Sequence, residues 1–572
     1  MNDIRRTILW VIFGFSMVLL WDKWQIHNGQ KATFMLGTTA KPAASAPAAA
    51  SSAPASSVPA ASGVPTATTA AAPIPGGMTA SSVPGGAPAA PGIARERITV
   101  TTDVVRLTFD SEGGSIVQTE FLKQANDAKT GTFVLLEQNA NRVYVAQSGL
   151  IGGAFPTHKT PMTVSGDRAL RDGANELVVK FESADVGGVK LVKSYTLRRG
   201  AYDVAVTHEV VNTGSAPVAP QLYMQLVRDG NKLAGESSFY STFTGPAVYT
   251  EAKKFTKVEF SDIEKGKAEI EKDSTNGYVA MVQHYFASAW ILPDGIKREL
   301  FVRKVDNNLY AVGMIAPLDN LAPGASKTVN ARFFAGPQQE KLLETIAPGL
   351  ELVKDYGWLT ILAKPLYWLM DKLHGFIGNW GWSIMALVLI IKMAFYWLQA
   401  KGYESMAKMK AVNPKVMAMR ERFKDNPQQM QQEMMRIYRE EKVNPMGGCL
   451  PIMVQIPVFI ALYWVLLSSV EMRGAPWILW IKDLSAPDPY FLLPVFMTLT
   501  TLLQTALNPQ PPDPMQAKMM WIMPLAFSVM FFFFPSGLVL YWITNNVLSI
   551  AQQWLINTRM GVPPEFNLPK FK

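Results

Sequence analysis

One cysteine, Cys449, serves the whole 572-residue chain. An intramolecular disulfide is therefore impossible, and a zinc site built on paired cysteines is excluded. Histidine is nearly as scarce. His27, His158, His208, His284 and His374 are scattered without metal-ligand spacing, and each reads as a core or surface residue. Charge is sparse too: 17% of residues are charged and 49% hydrophobic. That composition fits a soluble part joined to a membrane part. The net charge of +9 gathers near the first apolar run and between Lys401 and Lys442. It forms no basic stripe with interleaved aromatics, which argues against a nucleic-acid module and against DNA as a partner. There is no Gly-rich phosphate loop, nucleophile elbow or paired-histidine zinc motif. No catalytic residue, metal or cofactor is expected, and a nucleotide-driven pump is disfavoured.

What is present falls into blocks. Residues 1–24 hold Asp3-Ile4-Arg5-Arg6 and the apolar run Thr7 to Trp21, followed by Trp21-Asp22-Lys23-Trp24 in place of a small-residue cleavage site. This reads as an uncleaved signal anchor, with a cleaved leader as the alternative. Residues 25–94 are rich in Ala, Pro and Ser and predict a disordered tether. Residues 95–345 alternate with period two, as in Glu176 to Phe181 and Tyr202 to Val211, and Ser111 to Ser115 reads as a hairpin turn. A large antiparallel β-sandwich is expected. Residues 350–373 segregate charges from leucines around a helical wheel, predicting an amphipathic surface helix bent near Pro365, or else a core helix. Residues 380–557 hold five apolar runs near the length of a membrane span: Trp380 to Gln399, Leu450 to Ser469, Phe491 to Leu507, Lys518 to Phe534 and Gly537 to Ile556. With the anchor this makes six transmembrane helices in a multi-domain membrane protein. The charge rule then places both termini, the tail 558–572 and the basic segment 400–443 in the cytoplasm, and the sandwich in the periplasm.

Lys392 is the one cation in the run Trp382 to Leu398. A buried charge in a span is costly unless it pairs, snorkels or faces water. Gln455 sits at similar depth in the next span, and Thr544, Asn545 and Ser549 fall in the last. They predict an inward polar layer; the bland alternative is interhelical glue with a snorkelling lysine. The segment 400–443 predicts a helical hairpin with a methionine-rich stripe: Met406, Met409, Met417, Met430 and Met434. Such a stripe suits varied partners, or merely zips the hairpin shut. Its ten basic residues are compatible with anionic lipid or a weak ribosome contact.

The segments Glu441 to Cys449 (EKVNPMGGC), Leu479 to Ser485 (LWIKDLS), Asp513-Pro514-Met515 and Phe534 to Trp542 (FPSGLVLYW), in this order, resemble the YidC/Oxa/Alb family of membrane protein insertases, in its Gram-negative form. The resemblance implies a five-helix bundle around a hydrophilic groove, with a sandwich like sugar-binding super-sandwiches. It implies insertion and chaperoning of nascent inner-membrane proteins, alone or with the general secretion translocon, and no enzyme activity. The family's groove arginine is Lys392 here, which keeps the charge without the planar fork. Trp397 replaces a proline of relatives. The groove glutamine, aromatic and small polar positions match Gln455, Trp542 and Asn545. The alternatives are a small-solute transporter using the same polar layer, and a carbohydrate-processing enzyme in the sandwich.

Overall fold

The computed structural model describes residues 95–126, 129–233, 242–423, 426–441, 450–508, 514–561 and 566. The expected anchor, the tether, most of the tail and the hairpin turn at Lys424-Asp425 lie outside them. The chain divides into two compact units between Lys354 and Asp355.

The first unit is an antiparallel two-sheet sandwich. One sheet runs in the order Arg97–Thr101, Val105–Asp110, Ser115–Ala125, Val143–Ile151, Gln221–Asp229, Leu309–Pro317, Arg298–Asp306 and Asp273–Ser274, with Thr132–Val134 and Glu137–Gln138 at its side. The other runs Lys254–Lys257, Gly245–Thr250, Tyr278–Gln283, Phe286–Ile291, Ser326–Pro337, Asp203–Asn212, Val189–Arg198, Glu176–Ser183 and Met162–Gly166. In Glu176–Ser183 every second residue is buried, as period-two patterning requires. The turn after Val105–Asp110 depends on Gly113 at φ +73° and Gly114 at φ +59°. A Cβ on Gly113 would stand 2.3 Å from the His158 carbonyl oxygen, so a side chain does not fit there.

Tyr278–Gln283 and Phe286–Ile291 are buried on both faces. Their outer face carries the short helix α2 (Glu340–Ile346) and the 3₁₀ turn Leu350–Val353, through Leu343, Ile346, Leu350 and Val353. A second short helix, α1 (Phe260–Glu264), packs Ile263 against Tyr310. The surface helix expected to start at residue 350 is corrected here. Leu350 and Val353 are sandwich core, and the helix proper, α3, spans Thr360–Ile377 and runs on through Pro365.

The second unit is helical. After α3 come α4 (Trp380–Ala394), α5 (Tyr396–Arg422), α6 (Pro427–Glu440), α7 (Leu450–Ser468), α8 (Leu492–Leu507), α9 (Pro514–Met530) and α10 (Ser536–Arg559). Asn379 caps α4 by accepting from the Trp382 amide, and Asn426 caps α6 by accepting from that of Gln429, each satisfying an otherwise orphaned donor. Pro427 occupies the first turn of α6, where its missing N–H costs nothing. Asp488, almost wholly buried, accepts from the Leu493 and Tyr490 amides and from Trp480 Nε1, which fixes the entry into α8. On α3, Ala363, Tyr367 and Met370 are buried, while Ile361, Trp368 and Phe376 are exposed.

Expectations for the spans change in part. The run Trp380 to Gln399 is not one helix: α4 and α5 meet at Phe395 with a bend of 68°. Phe395 leaves the helical region at φ −95°, ψ 11°, without a proline or glycine at the break. Among the described residues no single helix is long and apolar enough to cross a membrane, whereas the α4–α5 pair satisfies length and composition jointly. α8 and α9 have 16 and 17 residues, roughly 24–26 Å at 1.5 Å per residue, against a hydrocarbon core of about 30 Å. α10 has 24 residues, but its polar side chains lower its hydropathy. It packs against α4, α5, α7 and α8 and is the organising helix of the unit.

Candidate functional site

The polar residues of the spans meet in one pocket. Lys392, in the last turn of α4, is buried and donates from Nζ to Ser549 Oγ at 2.7 Å. Gln455 of α7 donates from Nε2 to Asn545 Oδ1, also at 2.7 Å. Asn545 and Ser549 are one turn apart on α10, so they share a face. The pocket between them has apolar walls from Val388, Ile391, Phe395, Leu398, Val454 and Val458, with Gln399 and Tyr541 completing the lining. A lysine held among aliphatic side chains is tolerable because its ammonium keeps a hydrogen-bond acceptor.

Not every expected residue faces this pocket. Thr544 is buried but donates to the Leu540 carbonyl within its own helix. Trp542 packs edge-on against Phe459, with centroids 4.5 Å apart, and against Phe531. Its neighbour Tyr541 lines the pocket instead, with Phe395. Tyr541 and Gln399 were missed as site residues. Gln399 closes an apolar run and reads as a span end, yet its Oε1 is buried without a hydrogen-bond partner among the described residues. Asn546 was also missed. It donates to Thr501 at 2.8 Å and Thr500 at 3.2 Å, and Gln553 donates to the Leu507 carbonyl. On that face, α10 and α8 are joined by interhelical polar contacts.

The hairpin divides its methionines. Met409, Met430 and Met434 join Val412, Val416, Met419 and Ile437 in the seam between α5 and α6. Met406 is half-buried, and Met417 and Met435 are exposed. Lys415 and Glu441 tie the two helices together with a 2.5 Å ion pair.

The sandwich holds a second polar cluster. Lys193 donates to the Gly113 and Ser148 carbonyls at 2.6 and 2.7 Å. His208 Nε2 lies 2.9 Å from Ser148 Oγ, and His158 Nδ1 lies 2.5 Å from the Tyr223 hydroxyl. Burial pushes Lys193 down to about 7; burial, then the nearby Lys193 charge, lowers His208 to about 3. Lys193 and His208 are fully enclosed. The serine–histidine contact therefore offers no nucleophile to a substrate. Lys193, on the facing sheet, is what holds the hairpin turn at Gly113.

Comparison with known proteins gives a consistent picture. Residues 97–369 match the family described as YidC periplasmic domain, and residues 372–562 the family described as 60Kd inner membrane protein. A curated relative, membrane protein insertase YidC of Cupriavidus taiwanensis, is 57% identical over 561 residues and spans 98% of both chains. Its counterpart in Cupriavidus necator is 56% identical over 560 residues, again across 98% of both. Among solved structures, an active YidC insertase with its first transmembrane domain resolved aligns with 80% of this chain and 92% of its own, at 20% identity and a TM-score of 0.38.

Proposed function

This chain belongs to the YidC family of membrane protein insertases, and on that footing we propose that it moves the polar flanks of nascent membrane proteins through the pocket between α4, α7 and α10. The observation that carries this reading is the convergence of Lys392, Gln455 and Asn545 on one pocket with largely apolar walls. A hydrophobic segment brings with it a short polar flank that resists entering lipid. A polar cavity part-way across solvates that flank, so that it crosses only the remaining hydrocarbon. Lys392 supplies a point charge to acidic flanks, Gln455 and Gln399 supply amide groups, and the apolar segment leaves sideways into the bilayer. No covalent bond changes. The exposed Met417 and Met435 of the hairpin receive the segment first, because flexible thioethers adapt to many shapes. In this reading the hairpin is cytoplasmic, the sandwich periplasmic and the protein resident in the bacterial inner membrane. The secretion translocon is a partner for larger clients, and the basic segment 400–443 gives the ribosome a weak contact.

The test is reconstitution of the pure protein in liposomes with a short two-span client. Insertion without nucleotide or translocon is expected. Dependence of every client on the translocon would refute autonomous insertion. Labelling of single cysteines in sealed inverted vesicles checks the topology: position 417 should react and position 200 should not.

A further inference from the structure

The Ser549 hydroxyl both donates and accepts a hydrogen bond. It donates to the Asn545 carbonyl, one turn back on α10, at 2.7 Å. With its single proton so placed, Oγ presents only lone pairs to its other neighbours. One faces Lys392 Nζ at 2.7 Å. Lys392 stands on α4, in the turn before the 68° break at Phe395. The serine side chain thus joins α4 to α10.

We propose that Ser549 is the positioning residue that aims Lys392 into the pocket. A lysine ammonium rides on a flexible four-carbon stem with substantial rotamer freedom. Within an apolar wall, it would otherwise turn toward the nearest water. Accepting one of its three N–H groups fixes the ammonium beside the pocket that Gln455 and Asn545 also line and leaves the other two free for a carboxylate. Ser549 is suited to this because its own proton is already committed within α10. A group that could rotate to donate would oppose the cation. The role is preference for acidic flanks, distinct from insertion itself. The inference rests on the client-binding reading of the pocket.

The experiment uses the full-length protein in liposomes with two clients that differ only in whether the translocated flank carries Asp or Ser. The readouts are the acidic-to-neutral insertion ratio and the yield of carbodiimide coupling between the client's flank carboxylate and Lys392. Ser549→Ala should lower both by about tenfold, the scale of one hydrogen bond to a charged group, with the neutral client little affected. Ser549→Thr keeps the hydroxyl and the bond to residue 545, and should restore both. Should the alanine variant fail to accumulate, Ser549→Cys carries the same comparison, since sulfur accepts weakly. Equal losses for the two clients, or no rescue by threonine, would overturn the proposal and leave Ser549 a packing residue. Lys392→Ala is the separate control. If it leaves the ratio unchanged, the client-binding reading of the pocket itself fails.

Discussion

At the scale of single residues, charge and burial set what can be tested. Lys392→Arg keeps the cation and should insert both client types at close to the parental rate. Lys392→Ala should cost acidic-flank clients about tenfold and spare neutral ones, because a cation in a cavity with low-dielectric walls attracts carboxylates more strongly than in bulk water. Insertion of the matched clients checks this. Equal, weak effects would mean that Lys392 only snorkels. In the sandwich, His208 is held near 3 against an ordinary 6.5, and Lys193 near 7 against 10.5. The unfolded chain therefore binds more protons than the folded one from about 3 to 6.5 and from about 7 to 10.5, and stability rises with pH in both windows. Read downward, acidification from pH 6.5 to 5 should cost the 95–354 unit on the order of 1–2 kcal/mol through His208 alone. His208→Gln should remove most of that loss in urea titrations. The pocket was legible from sequence where a polar residue interrupts an apolar run, as at Lys392, Gln455 and Asn545. It was illegible at Tyr541, whose ring suits lipid and pocket equally well, and in the sandwich cluster, where Ser148 and His208 are 60 residues apart.

At the scale of elements, the hairpin separates seam from surface. Val416 is buried between α5 and α6, and Met417 beside it is 48% exposed. Val416→Asp places an unsatisfied carboxylate in that seam and should open the hairpin, seen as faster amide exchange along α6. Met417→Ser should leave exchange unchanged and reduce client crosslinking to the hairpin. Loss of crosslinking without Met417, but with the seam intact, separates reception of a segment from simple zipping. Element boundaries were read least well where the pattern lacked contrast. Tyr278–Gln283 and Phe286–Ile291 show no alternation because both of their faces are covered. The break at Phe395 has no proline or glycine to announce it. The strand Glu176–Ser183, open to solvent on one face, was read directly from its period.

At the scale of the molecule, two units with separate cores imply separable tasks. The sandwich closes its own interior around Trp290, Tyr195 and Phe333. Its boundary belongs after the 3₁₀ turn Leu350–Val353 rather than at residue 345, inside α2. Removing Arg95 to Val353 while keeping α3 should leave insertion of short clients within about twofold of the intact protein. A stably accumulating deletion that inserts nothing would contradict this. α10 carries a consequence for biosynthesis. It is translated last, and its polar side chains find their hydrogen-bond partners on helices made earlier: Lys392 on α4, Gln455 on α7, and Thr500 and Thr501 on α8. Alone in lipid those groups would lack partners, so α10 is a poor membrane segment until its neighbours are in place. The bundle thus contains a helix that itself needs the help the proposed function gives to other chains, and α10 settles only after α4, α7 and α8.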